Sequence, residues 1–342
     1  MKRAVLEIDE VKIRENIRKL YQFSGKKIIA VIKADAYGIG AKEIAQILND
    51  MEEVDSFAVA CVKEGVQLRK QAIKKEILIL GGIFPEDLDF IEEYQLTPVI
   101  SDHEHLKVLG NRDIKFHVKY DTGMGRLGFL NEIIKDERII GVMSHFSSPA
   151  NREFPLLQVR RFEEIVKHYR NVQKIHMESS AGLIYEVPFT THVRVGLAIY
   201  GEKPLKNYPI DIKPALRLRA RLISVKDVPE NYPISYSGTF ITRKKTKIGV
   251  VAFGYADGLM KSLSNKGFLI YKGKRVPILG NITMDMTIVD LNETDAKVGD
   301  WIEIVNEERS FTALAKDAGT IPYELMCNLS KRIERIVLKA NK

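Results

Sequence analysis

The chain of 342 residues is 45% hydrophobic and 29% charged, a composition that excludes a disordered or fibrous protein and leaves room for one barrel with an appendage or for two medium domains. Its net charge of +8 comes from 53 basic against 45 acidic residues. These are interleaved, with the densest basic cluster only Arg243 to Lys247, so no nucleic-acid surface is expected and the modest excess of cations suits small anionic ligands.

The two cysteines, Cys61 and Cys327, lie far apart and indicate neither a disulfide framework nor a metal site, so a cytoplasmic setting is expected. Met1-Lys2-Arg3 runs straight into Glu7, Asp9 and Glu10 without an apolar stretch, which predicts no signal peptide, and no apolar run reaches the length of a membrane span. Ala4 to Ile8 reads as a strand, followed by an amphipathic helix carrying Val11, Ile13, Ile17 and Leu20. Short apolar strands then recur near 28–32, 57–61, 77–80, 98–100, 116–120, 139–143, 174–177 and 192–195. Helical patterns lie between most of them, as in Pro85 to Tyr94 and Pro155 to Tyr169. Eight strands alternating with helices in about 200 residues predict an α/β fold of the closed (β/α)8, TIM-barrel type.

From about Ala215 the pattern becomes mainly β. Strands are predicted over Leu216 to Val225, Lys247 to Phe253, Phe268 to Tyr271, Met286 to Leu291 and Trp301 to Val305, with a helix over Thr312 to Ala318. The expected division is a barrel over 9–215 and a mainly β domain over 216–342, which the N-terminal strand 1–8 is expected to join.

A barrel demands that functional side chains sit just past the C-terminal ends of its strands. Lys33, Lys119, His145, Ser180 and Arg194 with Gly196 all fall there. Lys33 ends the apolar run from Ile28 to Ile32. A lone lysine past a strand is ordinarily a solvated loop residue. One leaving a wall of hydrocarbon is partly desolvated, which lowers its pKa and supplies the neutral amine that imine chemistry requires. Tyr37 offers a phenol to an anionic group, and Gly38 and Gly40 ease the turn into a helix starting near Ala41.

Gly123-Met124-Gly125-Arg126-Leu127-Gly128 satisfies G-x-G-x-x-G, but it follows the fifth barrel strand and no acidic strand end lies about twenty residues on, so a dinucleotide loop is not expected.

The run Ala30-Val31-Ile32-Lys33-Ala34-Asp35-Ala36-Tyr37-Gly38 resembles the pyridoxal-phosphate lysine motif of the alanine racemase family. The resemblance continues through roughly 28–335. Lys119-Tyr120-Asp121-Thr122-Gly123-Met124-Gly125-Arg126 resembles the family's second signature, where the arginine contacts the substrate carboxylate and a lysine that can be carbamylated supports it. Unmodified, Lys119 would repel Arg126; as a carbamate it would attract it. His145-Phe146 resembles the family's histidine site, although Ser147-Ser148-Pro149-Ala150 departs from the usual sequence. Ser179-Ser180-Ala181-Gly182 resembles the family's phosphate-binding serine segment and Val193-Arg194-Val195-Gly196-Leu197 the segment whose arginine faces the cofactor's pyridine nitrogen; Ser180 and Gly196-Leu197 also follow strands seven and eight, where barrels often bind phosphate. In the second domain, Ser235-Tyr236-Ser237-Gly238 resembles the catalytic tyrosine motif, Gly254-Tyr255-Ala256-Asp257-Gly258 the entrance motif, and Met284-Asp285 a substrate contact. Lys331 stands where the family usually has a phosphate-contacting tyrosine, and would act as a charge instead of a phenol.

The resemblance implies an isomerase that interconverts L- and D-alanine by a two-base mechanism, Lys33 on one face and Tyr236 on the other, supplying D-alanine for peptidoglycan. Deprotonating a tyrosine at pH 7 costs about 4 kcal/mol, which His145 and Arg194 are expected to reduce. It further implies pyridoxal phosphate as cofactor, no metal, and a homodimer whose partner subunit supplies Tyr236 and Met284. The alternatives are a serine, lysine or broad-specificity racemase and a barrel-fold decarboxylase acting on a larger amino acid. Tyr236, Tyr255 and Met284 argue against the decarboxylase.

Overall fold

The structure, a computed structural model, describes residues 2–130, 132–148 and 153–339. Pro149 and Ala150 lie outside the described residues. The chain divides into two compact units, one of Ile13–Ile212 and one of Met1–Lys12 with Lys213–Lys342.

In chain order, β1 (Ala4–Asp9) and α1 (Glu10–Ser24) precede eight parallel strands: β2 (Lys27–Val31), β3 (Val54–Val59), β4 (Glu76–Ile79), β5 (Thr97–Ile100), β6 (Phe116–Lys119), β7 (Ile139–Met143), β8 (Lys174–Ser179) and β9 (His192–Val195). Each pairs with the next and β9 returns to β2, closing the barrel. All eight predicted strands are present. Their cores are short aliphatic runs buried on both faces, as Ile28, Ile29, Ala30 and Val31 are in β2, the signature of parallel strands covered by helices. The chief shift is in β3, which begins at Val54 and not near 57. Its second residue, Asp55, interrupts the hydrophobic run because it pairs with Lys174 and His192 at the base of the barrel. On the outer layer α1 buries Ile13, Ile17 and Leu20 at helical spacing together with Asn16, whose amide donates to the Ile199 carbonyl at 3.1 Å.

The second unit is built on an eight-stranded sheet of β1 with β10 (Leu216–Val228), β13 (Thr246–Val251), β14 (Phe268–Tyr271), β15 (Lys274–Pro277), β16 (Thr287–Asp290), β17 (Trp301–Val305) and β18 (Glu334–Leu338). A small hairpin of β11 (Pro233–Ile234) and β12 (Phe240–Ile241) stands beside it. β1 lies between β10, antiparallel with Leu6 opposite Leu218, and β18, parallel with Leu6 opposite Arg335. A register irregularity between Leu222 and Ser224 lets the long β10 pair with β1 and β17 at one end and with β13 at the other. A helix over Phe311–Ala318, capped by Ser310, follows β17 and buries Phe311, Leu314, Ala315 and Ala318. Among the described residues no helix is long and apolar enough to cross a membrane.

Candidate active site

Past the end of β2 the backbone does something unusual. Ala34, Asp35, Ala36 and Tyr37 all have φ between 52° and 59°, a left-handed helical turn of four non-glycine residues that costs about 1–2 kcal/mol per residue in isolation. Gly38 at φ 79° ends it. Its own ladder runs from Gly38 N–H to the Ala34 carbonyl at 2.8 Å and from Gly40 N–H to the Asp35 carbonyl at 2.9 Å. The surroundings complete the restraint. The Glu64 carboxylate accepts the Ala34 and Ala60 N–H groups, both at 2.7 Å, Asp35 accepts the Ala41 N–H at 2.8 Å, and Tyr200 donates its hydroxyl to the Ala36 carbonyl at 2.9 Å. The turn fixes where Lys33 leaves the strand and swings Tyr37 back into the buried interior, its side chain only 8% exposed.

Arg194, in β9, is the electrostatic centre of the barrel mouth. Nη1 donates to His176 Nδ1 at 2.7 Å and to the His176 carbonyl at 3.0 Å. Nη2 faces the Ser144 carbonyl at 2.7 Å, His145 Nδ1 at 2.9 Å and the Met177 carbonyl at 3.0 Å. Among the described residues, Nε–H is the guanidinium donor left without a protein acceptor. The guanidinium pKa, expected above 12, is pushed down to about 10 by burial, Glu178 opposing and Arg126 adding to the fall; it stays charged at neutral pH. His145 is held well below its ordinary value by burial and then by the Arg194 and Lys119 charges, so it meets Arg194 as a neutral acceptor.

Lys119 ends β6 in the same environment, 6% exposed. Burial, followed by the Arg194 and Arg126 charges, lowers its pKa to about 8 against the pull of Asp121. The loop after it is gathered by Asp121. One carboxylate oxygen accepts the Gly123 and Met124 N–H groups at 2.9 and 2.6 Å, and the other accepts the Arg126 N–H at 2.9 Å. The glycines of the G-x-G-x-x-G run serve this loop, which leaves the Arg126 side chain exposed.

After β8 and β9 the Ser180 hydroxyl accepts the Gly196 N–H at 3.1 Å and the Ala198 N–H at 3.4 Å, with Leu197 buried between them. Tyr208 donates to the Ser180 carbonyl at 2.8 Å. Gly196 is required here, because a Cβ would collide with the ring and hydroxyl of Tyr37. Lys33, Tyr37, Lys119, Arg126, His145, Ser180, Arg194, Gly196 and Leu197 thus belong to one end of one barrel.

Tyr236, Tyr255, Met284 and Lys331 belong to the other unit. The first three are drawn into one loop cluster. Tyr255 and Ala256 donate N–H to the Thr283 and Met284 carbonyls at 3.0 and 2.9 Å, Asn281 donates to the Tyr236 carbonyl at 2.9 Å, and Ser235 to the Asn281 carbonyl at 2.6 Å. Arg332 clamps the cluster by donating to Asp257 at 2.6 Å and to Asp285 at 2.8 Å. Tyr236, Tyr255 and Met284 are 74%, 45% and 54% exposed. Lys331, beside the clamp, is exposed as well. Sequence reading passed over Glu64, His117, His176, Tyr200, Tyr208 and Arg332, none of which lies in a motif that announces its partner.

Residues 8–204 match the family described as alanine racemase, N-terminal domain, and residues 215–337 match alanine racemase, C-terminal domain. The chain belongs to the alanine racemase family. It is 72% identical over 338 residues to the alanine racemase of Aquifex aeolicus, covering 99% of this chain and all of that one, and 72% identical over 339 residues to that of Aquifex pyrophilus, covering 99% of each. Among solved structures, an alanine racemase from Bartonella henselae with covalently bound pyridoxal phosphate superposes with a TM-score of 0.90 at 28% identity, covering 99% of this chain and all of that one. An alanine racemase from Bacillus anthracis with bound L-Ala-P gives 0.89 at 28% identity, covering all of this chain and 96% of that one. The family's architecture, a closed eight-stranded barrel and a mainly β second domain, is that of this chain.

Proposed function

We infer that this chain is a pyridoxal-phosphate-dependent alanine racemase. The observation that carries this reading is Arg194, buried and oriented by His145 and His176 at the mouth of a barrel that also presents Lys33. The residues suit the cofactor. The Ser180 hydroxyl, the Gly196 and Ala198 N–H groups and the Tyr37 phenol converge on a cradle that only glycine leaves open, and they are the donors a phosphate group takes. Lys331, in the second unit, is the candidate cation where the family usually has a phosphate-contacting tyrosine. We assign the barrel, 9–215, as the cofactor-binding domain and 216–342 with the N-terminal strand 1–8 as the domain that carries Tyr236, Tyr255 and Met284.

When bound, pyridoxal phosphate supplies the conjugated ring that takes up the electron pair left as the α-proton departs. The chain does the rest. Lys33 holds the cofactor and exchanges the α-proton on one face. Tyr236 of the partner subunit exchanges it on the other, two opposed bases being the direct route to inversion. Arg126 and Met284 orient the substrate carboxylate, with Tyr255 at the entrance. Arg194, charged at neutral pH, would hold the cofactor's pyridine nitrogen as a donor that gives up no proton, and so would leave the ring unprotonated and limit side reactions. Lys119, whose ammonium burial and the Arg194 and Arg126 charges destabilise, takes up carbon dioxide with loss of a proton. The resulting anion balances Arg126.

The exposed Tyr236, Tyr255 and Met284 support a homodimer in which each subunit completes the other's site. D-alanine for peptidoglycan is the product's expected use, and the cytoplasm the expected location. Chiral chromatography of L-alanine, L-serine and L-lysine incubated with the cofactor-loaded protein tests the reading. D-alanine forming fastest and approaching an equal mixture is the expected outcome. A faster approach with serine or lysine reassigns the substrate, and the absence of any D-amino acid overturns the racemase.

A further inference from the structure

Behind Arg194 the barrel core holds a second histidine that the reaction above does not use. His117 Nδ1 lies 2.8 Å from His176 Nε2, and both side chains are fully buried. A place has been made for it, since a Cβ on Gly141 of the neighbouring strand would overlap the His117 ring. Beyond it, at the base of the barrel, Glu76 Oε1 stands 3.8 Å from His117 Nε2, and Glu76 is paired with Lys174 at 2.5 Å.

The partners fix every proton in this row. Arginine only donates, so His176 Nδ1 must accept from Arg194 and His176 carries its proton on Nε2. That proton needs an acceptor, which is His117 Nδ1, so His117 carries its own on Nε2. There the row ends badly: His117 Nε2 is buried without a hydrogen-bond partner among the described residues. A buried donor left unmatched is costly, and it is the sign that the row is set from the Arg194 end. The opposite polarity would aim a His176 Nδ1–H at the Arg194 Nη1–H.

Resting on the racemase reading above, we propose that His117 is a positioning residue: it accepts the Nε2–H that Arg194 imposes on His176, and the His176 ring so held pins the Nη edge of Arg194 so that its Nε–H faces the cofactor site. His117→Asn keeps an acceptor at the position of Nδ1, whereas His117→Leu fills the space without one.

Histidine-selective nitrogen NMR, practicable with seven histidines, reads the tautomers directly in the wild-type holoenzyme, and both His117 and His176 are expected to be protonated on Nε2. In H117L the His176 Nε2–H loses its acceptor and its nitrogen and proton shifts move away from the wild-type values, kcat falls about tenfold with KM within about twofold, and pyruvate released from alanine per racemisation rises several-fold as Arg194 loosens. H117N stays within about threefold of wild type on each. A wild-type His176 protonated on Nδ1 overturns the proposal even if H117L does not fold, and so does an H117L enzyme with unaltered His176 shifts and partitioning. A protein with the expected tautomers that racemises nothing refutes the racemase reading and leaves the hydrogen-bond row intact.

Discussion

The Tyr37 ring lies over the backbone of Gly196, in the space a Cβ at that position would occupy. Two segments 159 residues apart in sequence, the turn after β2 and the turn after β9, are therefore interlocked at the cradle assigned to the cofactor's phosphate. Gly196→Ala must push the phenol aside and disturb the N–H that Ser180 accepts. Loss of the contacts that the Tyr37 phenol and the Ser180 hydroxyl would make to a bound phosphate, at about 1.5–3 kcal/mol each, should weaken cofactor binding by at least about a hundredfold. Titrating apoprotein with pyridoxal phosphate measures it, and affinity within threefold of wild type would remove Gly196 from the site.

The left-handed turn after Lys33 depends on Glu64, which accepts N–H groups from both Ala34 and Ala60. Glu64→Ala removes a charged acceptor from two backbone donors while the turn's torsional cost remains. A loss of about 2–4 kcal/mol is expected, read from the urea midpoint, with Lys33 reacting more slowly with the cofactor than in wild type. An unchanged midpoint would mean that the turn holds itself.

The contrast between what could and could not be read in advance follows from where the physics is local. The barrel was legible because short apolar runs recur in most of its strands, and Lys33 and Arg194 because they break such runs at the C-terminal end. The left-handed turn was not, since Ala34, Asp35, Ala36 and Tyr37 carry no preference for positive φ and are held there by Glu64 and Tyr200, distant in sequence. His117 and His176 sit in strands whose other residues are core, and nothing local distinguishes a wired histidine from a packed one. β18 was missed because its alternation begins with Glu334 and Arg335, and the parallel pairing with β1 that makes it a strand spans the whole chain.

Buried neutral histidines make the fold sensitive to acid. Burial, with the Lys174, His192 and Arg194 charges adding and Glu76 opposing, lowers His117 to about 4, and burial together with Arg194 holds His176 well below its ordinary value. Unfolded histidine binds its proton near pH 6.5. Between about pH 6.5 and 4 the unfolded chain therefore holds more protons than the folded one, and stability falls as pH falls, by up to about 1.4 kcal/mol per pH unit for each histidine. Thermal unfolding from pH 8 to pH 4.5 should show this onset near 6.5, with a shallower slope in H117N. A flat profile down to pH 5 would mean that both rings take up protons within the fold.

Lys119 should report its modification directly. Its pKa of about 8 makes the neutral amine accessible at moderate pH, and conversion to an anion exchanges repulsion of Arg126 and Arg194 for attraction. Protein equilibrated with carbon-13 bicarbonate at pH 8 should give one slowly exchanging carbamate resonance, absent in Lys119→Ala. That variant should also show a several-fold higher KM for alanine, through a less constrained Arg126. A spectrum without the resonance would leave Lys119 an unmodified cation.

If Tyr236 acts across a dimer, two dead proteins should make a live one. Lys33→Ala lacks the first base and the cofactor bond, and Tyr236→Phe lacks the second base, so each homodimer is inactive at both sites. In a hybrid, the barrel that retains Lys33 receives Tyr236 from the other chain, while the remaining site lacks both. Random exchange puts half the molecules in hybrids with one working site of two, so activity should recover to about a quarter of the wild-type value for a two-fold dimer. Recovery should follow the rate of subunit exchange after mixing and disappear if either protein is crosslinked as a homodimer beforehand. Exchange demonstrated by mass without any recovery would place Lys33 and Tyr236 of the same chain in one site.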